Sequence, residues 1–324
     1  MSHDSRKVRF GLWYDFRNPP QWRQPSDRLY REILGQIVWG ENNGFDDVWL
    51  SEHHFIEDGY LPSILPIAAA IAARTKRIRI ASGVLLLPFH NPVRLAEDIA
   101  VVDVISGGRL ELGVGVGYKV EEFEGFGVPF KERGSRTNEA LGIVRRLLAG
   151  ETVTVKNKFF DLNNVKITPE PIQRPHPPVW IGGFTQAALR RAVRYGDGFT
   201  VPDANRDVYD RYVAELTKEN RPIDNVRFAS GFQWLIVSND PETTFNEAAD
   251  HIIYQANNYT AWLSKAGLMP NPVYLRDREQ LRQSRPAGYG DNDDSRLHQQ
   301  RPGHTLLFLD IASWTATAVG SISS

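Results

Sequence analysis

Segments of strand type and segments of helix type alternate along most of this 324-residue chain. That alternation constrains the fold more than any single motif, because strands joined by helical crossovers pair in parallel and become buried on both faces. VRFGLWYDF (8–16) reads as a first strand. A helix follows in which Leu29, Ile33 and Ile37 recur at four-residue spacing, with Ser26 or Asp27 placed to cap it and Gly44 to end it in a left-handed residue. DDVWLSEHH is the second strand, LPSILPIAAAIAARTK a buried helix, and RIRIASGVLLLP (77–88) a third strand too continuously apolar to keep a wet face. Pro92 opens the next helix, where a missing N–H does no harm. That helix carries Leu95, Ile99, Val102 and Ile105 at core spacing and stops at SGG.

RLELGVGVG (109–117), PPVWIGG (177–183), DGFTVP (197–202), RFASGFQWLIVS (227–238) and HTLLFLD (304–310) supply the remaining strands. Between them lie a helix over 134–149, with Leu141, Val144 and Leu148 inward, a Pro-rich connection, and a crossover at AALRRAVRYG. Eight such units predict an α/β fold, a TIM (β/α)8 barrel occupying 1–324 as one domain, with a helical insertion before the last strand over about 239–303. From about Ser284 the pattern fails. SRPAGYGDNDDSRLHQQRPG has no apolar period, and IASWTATAVGSISS is small and β-branched where an amphipathic helix is due. This tail, about 284–324, has no place in an ordinary barrel; a change of reading frame or an atypical terminus would each produce it.

Lys plus Arg number 38 against 39 for Asp plus Glu, a net charge of -1. No global field favours nucleic acid or an anionic membrane, so a small organic molecule is the expected partner. The absence of cysteine removes disulfides, thiolate nucleophiles and thiolate metal sites, and suits a reducing compartment. The first twenty residues lack the apolar core of a signal peptide, and the longest apolar stretch, about 64–73, is too short to span a bilayer. A cytoplasmic protein is expected.

Barrel sites lie at the C-terminal ends of the strands, and the unusual residues of this chain gather there. EHHF closes strand two, Ser82 and Gly83 interrupt strand three, GVGVGY ends strand four and GGFT ends strand five. Alternation along a strand puts Glu52 and His54 on one side and His53 on the other, so the three cannot form one metal tripod. No H-x-H pair is present for a metal-dependent hydrolase, and no residue is assigned to a metal. GVGVG runs into a loop and has the spacing G-x-G-x-G, unlike the dinucleotide fingerprint G-x-G-x-x-G. Gly113, Gly115 and Gly117, with Val116 among them, leave a bare face for something flat. Gly182 and Gly183 lead into a helix N-terminus, where the N–H groups of Gly183, Phe184 and Thr185 are expected to hold a phosphate.

Four blocks, SEHHF, LLLPFHNPVRLAEDIAVVDVISGGRLELGVGVGY, EEFEGFGVPFKERG and PEPIQRPHPPVWIGGFTQAALRRAVRYGDGF, follow one another in an order that resembles the bacterial luciferase-like monooxygenase superfamily of flavin- and deazaflavin-dependent oxidoreductases. The resemblance covers about residues 7–238. It implies a reduced flavin bound as a dissociable substrate and supplied by a separate flavin reductase. It carries the essential role of the first histidine of EHHF onto His53, with Glu52 and His54 as neighbours. It also implies a non-prolyl cis peptide against the flavin ring, which here would join Gly83 to Val84, next to Ser82. Two positions depart from the luciferases: Val116 stands where they carry an arginine for the flavin phosphate, and Asn91 where they carry a second functional histidine, with His90 one position earlier.

The reading favoured by the resemblance is a two-component monooxygenase using reduced FMN and O2. Its substrate would be apolar, held by aromatic residues at the barrel mouth: Trp13, Tyr14, Phe16, Phe55, Phe89, Tyr118, Phe184 and Phe199. One alternative is hydride transfer with the deazaflavin coenzyme F-420, and another is a non-catalytic flavin-binding relative. A homodimer through the early helices is also implied, with Trp39 as the candidate contact.

Overall fold

The computed structural model describes residues 8–202, 206–224, 226–231, 234 and 239–283, and the backbone of 304–310. The chain divides into two compact units, one of Met1–Gly117, Glu121–Gln233 and Gly303–Ala312, the other of Tyr118–Val120, Trp234–Pro302 and Ser313–Ser324. The strands are β1 (Arg9–Tyr14), β2 (Asp47–Leu50), β3 (Arg79–Ser82), β4 (Leu85–Leu86), β5 (Leu110–Gly115), β6 (Val153–Lys156), β7 (Asp161–Val165), β8 (Val179–Gly182), β9 (Gly198–Thr200), β10 (Arg227–Ala229) and β11 (His304–Asp310). The helices are α1 (Ser26–Asn42), α2 (Ile64–Arg74), α3 (Pro92–Ser106), α4 (Val120–Gly125), α5 (Arg133–Leu148), α6 (Gln186–Tyr195), α7 (Arg206–Lys218), α8 (Pro241–Lys265) and α9 (Arg278–Gln283).

In the first unit the parallel pairings run β1, β2, β3, β5, β8, β9, β10, β11 and back to β1. Eight parallel strands therefore close on themselves, the TIM-barrel arrangement that the alternation of strands and crossover helices predicts. β4 continues the third strand beyond a break and pairs with β5. HTLLFLD takes the closing place between β10 and β1.

Several local expectations change. Pro25 occupies the N-cap position of α1 and no side chain caps that helix, so neither Ser26 nor Asp27 has the capping role. Gly44 does take the left-handed turn, at φ 90°. Ile105 is exposed with Val101 and Val104, because at 100° per residue it falls roughly 90° round α3 from the buried stripe of Leu95, Ile99 and Ser106. The stretch read as a Pro-rich connection contains an antiparallel hairpin, β6 with β7, outside the barrel cycle. The chain re-enters the barrel at buried Asp103 of α3, whose carboxylate accepts the N–H groups of Ile172 (2.8 Å) and Gln173 (3.0 Å) and the Gln173 side chain (2.7 Å).

In the second unit Asp240 caps α8 by accepting the Thr243 N–H at 3.1 Å. Arg278 and Arg282 of α9 hold Asp250 and Glu242 of α8. The tail expected to be aberrant lies outside the described residues except for β11.

The barrel interior is built in layers. At the N-terminal end, fully buried Glu111 of β5 accepts from Arg9 (3.2 Å), Arg79 and the Trp180 indole (2.5 Å), with Arg227 at 3.6 Å. Burial alone would push its carboxyl up; the three guanidinium groups overcome that and hold it below its ordinary range. Above lie Trp49, Trp180, Ala81 and Ala229, with Trp13 packed against them, and the Trp49 and Trp180 rings meet edge-on at 5.5 Å.

Asp47 of β2 shares the ionic layer but is less well served. Burial outweighs its ion pair to Arg9 at 3.4 Å and the nearby Arg79 charge, and pushes its carboxyl up to about 7. Between the ordinary value of about 3.9 and about 7 the folded chain holds a proton that the unfolded chain releases. Stability accordingly falls as pH rises through this window and levels off above it. Asp47→Asn should abolish that slope, gaining on the order of 2–4 kcal/mol over the wild type between about pH 4 and pH 8. Urea midpoints across this range check it, and an unchanged slope would assign the pH dependence elsewhere.

Candidate active site

β2 ends at Leu50, and residues 51–54 leave the ladder while staying buried. The last ladder bonds are Ser51 N–H to Tyr14 O at 3.1 Å and Gly83 N–H to Leu50 O at 2.6 Å; beyond them the His53 N–H turns out of the sheet to Leu61 O at 3.2 Å. Strand alternation thus does not extend over EHH, yet the side chains part as expected. Glu52 Oε1 lies 2.8 Å from His54 Nε2, whereas His53 Nδ1 lies 2.8 Å from Glu122 Oε1. The His54 N–H donates to that same Glu122 oxygen, also at 2.8 Å.

Glu52 has a second imidazole nearby, His90 Nε2 at 3.8 Å, and accepts the Leu86 N–H at 3.4 Å. Burial pushes its carboxyl up, but His54 and His90 reverse that and hold it below the usual range. Behind His53, Tyr60 packs edge-on at 4.9 Å and its hydroxyl pairs with Ser51. The Arg17 guanidinium covers the Tyr60 ring at 4.6 Å and pairs with Asp15 (2.9 Å) and Asp58 (3.4 Å), all three buried. Among the described residues no group of three or more His, Asp and Glu side chains is arranged to hold a metal.

Beside this cluster the Gly83–Val84 peptide is cis, at the bond the family resemblance singles out. The Ser82 hydroxyl bridges the Gly113 N–H (2.8 Å) and carbonyl (2.7 Å). The bare glycine face is not left open. A Cβ on Gly113 would strike the Ser82 carbonyl, and Cβ atoms on Gly115 and Gly182 would each stand 2.6 Å from a Val84 methyl. The chain's own Val84 fills the gap that the sequence suggested for a flat ligand. Gly117 takes φ 73° against the Phe123 ring, and part-buried Val116 precedes it.

The turn from β8 to α6 is also partly committed. Gly183, at φ 142°, donates its N–H to Thr200 O at 3.2 Å, which withdraws it from the expected phosphate site. Thr185 caps α6 through the Ala188 N–H at 3.3 Å. Asn91 is likewise occupied, capping α3 by accepting from Val93 (2.9 Å) and Arg94 (3.2 Å); His90 is the member of that pair that turns towards Glu52.

The aromatic set divides. Tyr14, Phe16 and Phe199 are fully buried, with Phe16 packed on Tyr30 and Phe199 on Tyr212, so they belong to the core between barrel and helices. Phe55 and Phe89 instead form a wall with two rings that the sequence reading passed over, Phe123 and Phe126. Phe89 stacks on Phe126 at 4.6 Å and packs against Phe123 at 4.7 Å, and Phe126 meets His54 at 4.7 Å and Phe55 at 5.3 Å. Phe55 is 62% exposed and Phe126 41%. The aromatic spacing in EEFEGFGVPF was the available signal for the missed rings, and Glu122 lies in the same stretch.

The family model described as luciferase-like monooxygenase matches residues 8–305. The chain belongs to this family. Among similar proteins, the oxygenase component of a flavin-dependent trigonelline monooxygenase from Acinetobacter baylyi is 28% identical over 58% of this chain and 52% of that protein. An F420-dependent glucose-6-phosphate dehydrogenase from Amycolatopsis mediterranei is 35% identical over 52% of each. The match thus spans about half the length of both relatives. The crystal structure of the monooxygenase RslO1 from Streptomyces bottropensis superposes with a TM-score of 0.68 at 26% identity, covering 79% of this chain and 82% of that one.

In this luciferase-like chain the Val84 wedge is testable. Gly115→Ala should destabilise by about 1–3 kcal/mol through overpacking. In a Val84→Ala background the same change should be nearly neutral, giving a double-mutant coupling of similar size by chemical denaturation. Additive effects would mean that Val84 does not fill that space.

Proposed function

We propose that this chain is a flavin-type oxidoreductase, and that its reaction is monooxygenation with reduced FMN and O2 on an apolar organic substrate. The observation that carries the reading is the buried pairing of His53 with Glu122 and of His54 with Glu52 at the C-terminal end of a barrel strand, in a chain of this family. The residues fit such a cofactor. Val84 among Gly115 and Gly182 offers a smooth apolar floor, and the N–H groups of Phe184 and Thr185 at the start of α6 suit a phosphate. When bound, a reduced flavin supplies the electron pair for oxygen activation.

His53 is the residue to hold or move a proton, since imidazole changes charge near neutral pH. Glu52 and His54 act as its neighbours, and the Phe89–Phe126 wall excludes water and receives the substrate. The similar protein named as an oxygenase component supports a separate flavin reductase as partner. A homodimer is part of the reading, with half-exposed Trp39 on α1 and the outer face of α3 as contacts. Among the described residues no helix is long and apolar enough to cross a membrane, and a cytoplasmic location fits the cysteine-free composition.

A second reading, hydride transfer with coenzyme F-420, is favoured by the 35% identity to an F420-dependent dehydrogenase and by Val116 in the glycine-rich loop. Equilibrium titration with reduced FMN and with reduced coenzyme F-420 separates the two, a tenfold preference corresponding to about 1.4 kcal/mol. Tighter binding of FMN is expected. A tenfold preference for the deazaflavin would replace oxygen chemistry with hydride transfer. His53→Ala should then lower turnover about 10²-fold while cofactor binding survives. A wild type that binds either cofactor but shows no turnover with apolar substrates would point to a non-catalytic relative.

A further inference from the structure

Glu122 sits 69 residues beyond His53 in sequence, yet it is the group that touches the His53 ring. We propose that Glu122 is a positioning residue that fixes the His53 imidazole in the Nδ1–H tautomer, so that Nε2 carries the lone pair. The proposal adds a residue to the proton-handling role read for His53 above and rests on that reading for its consequence, though not for its test.

The assignment follows from which groups can only donate. The His54 backbone N–H has no acceptor function, and it points at Glu122 Oε1 from 2.8 Å; that oxygen is therefore an acceptor. His53 Nδ1 approaches the same atom at 2.8 Å, and the partner of an acceptor is a nitrogen that bears hydrogen. The reverse arrangement, a hydroxyl at Oε1 donating to Nδ1, would turn the His54 N–H towards a much poorer acceptor. Two N–H groups converging on one carboxylate oxygen is the charge-assisted pattern. Glu122 is fully buried, and its other oxygen has no hydrogen-bond partner among the described residues, so these two bonds are what the site provides for it.

The ring does not depend on Glu122 for its place. The His53 N–H is tied to Leu61 O at 3.2 Å and its face is closed by Tyr60, which Ser51 and Arg17 hold. What Glu122 adds is the choice of proton. A free neutral imidazole favours the Nε2–H form, so Nδ1–H needs a partner of this kind. With Nδ1 committed, Nε2 takes up and returns protons as a single site, and the carboxylate supports the imidazolium whenever it forms, as an orienting carboxylate does in hydrolytic triads.

The test is a long-range 1H–15N correlation spectrum of the full chain carrying 15N-labelled histidine, without added cofactor. The His53 signals are identified by their loss in His53→Gln. In the wild type, above the pH at which the ring protonates, Nδ1 should be the protonated nitrogen. Glu122→Gln should keep that form, because the His54 N–H selects the amide oxygen over the amide NH2 at the shared position. Glu122→Ala should shift His53 towards Nε2–H. A wild-type His53 found as Nε2–H overturns the proposal, and needs no variant to fold; so does an unchanged tautomer in a folded Glu122→Ala. If the flavin reading fails, the spectra still decide. If it holds, Glu122→Ala should lose roughly 10- to 100-fold in turnover, as when the outer partner of an imidazole is removed, and Glu122→Gln should recover most of it. Equal losses in both variants would overturn the role.

Discussion

A closed barrel of eight parallel strands has to fill its own interior, and each layer of that filling limits the next. In this chain Glu111 is the fixed point. Three arginines from different strands and the indole of Trp180 converge on one fully buried carboxylate, which ties those strands together at the N-terminal end and anchors the indole that meets Trp49 edge-on. Those two indoles share the middle layer with Ala81 and Ala229, and the small residues Gly83, Gly115 and Gly182 follow towards the mouth. Val84 then enters the glycine gap. The chemistry at the mouth rests on this stack, because the strands end at heights that the layers determine.

Above the stack lie two carboxylate–imidazole pairs that share a peptide unit. His54 gives its ring to Glu52 and its backbone N–H to Glu122, while Glu122 also takes the ring of His53. Each buried carboxylate is met by its own donors, the condition for keeping ionisable groups out of water. The arrangement also divides labour. Glu52 stands between two imidazoles, whereas the His53 ring is held between Glu122 and Tyr60.

Much of this is legible in the amino-acid sequence where local chemistry decides it. Near-continuous apolar runs, Pro92 at a helix start and glycines at helix ends place the barrel elements, and EHHF marks the site. HTLLFLD is readable as the closing strand even though the chain around it is not. The hairpin of β6 and β7 is not legible, because β6 offers only the two alternating valines of VTVK and β7, DLNNV, is mostly exposed and carries no apolar alternation. Nor is the end of β2 at Leu50: nothing in DVWLSEHH marks the stop, and it is the His53 N–H bond to Leu61 O that takes the chain out of the ladder. Glu122 is one of three glutamates within four positions of EEFE, and nothing local distinguishes the one that reaches His53. Val84 escapes for a related reason. Bare glycines read as room for a ligand until the residue on the adjoining strand is known to fill them.

The hairpin has a consequence for how this architecture can diversify. It leaves the barrel after α5 and returns at Asp103, where three hydrogen bonds to residues 172 and 173 re-establish the register before β8. The path between those anchors carries no barrel pairing, and lengthening a loop between fixed ends costs only about 0.6 kcal/mol for each doubling. The excursion is thus a natural insertion point, where new sequence can be accommodated without altering any strand that supports the mouth.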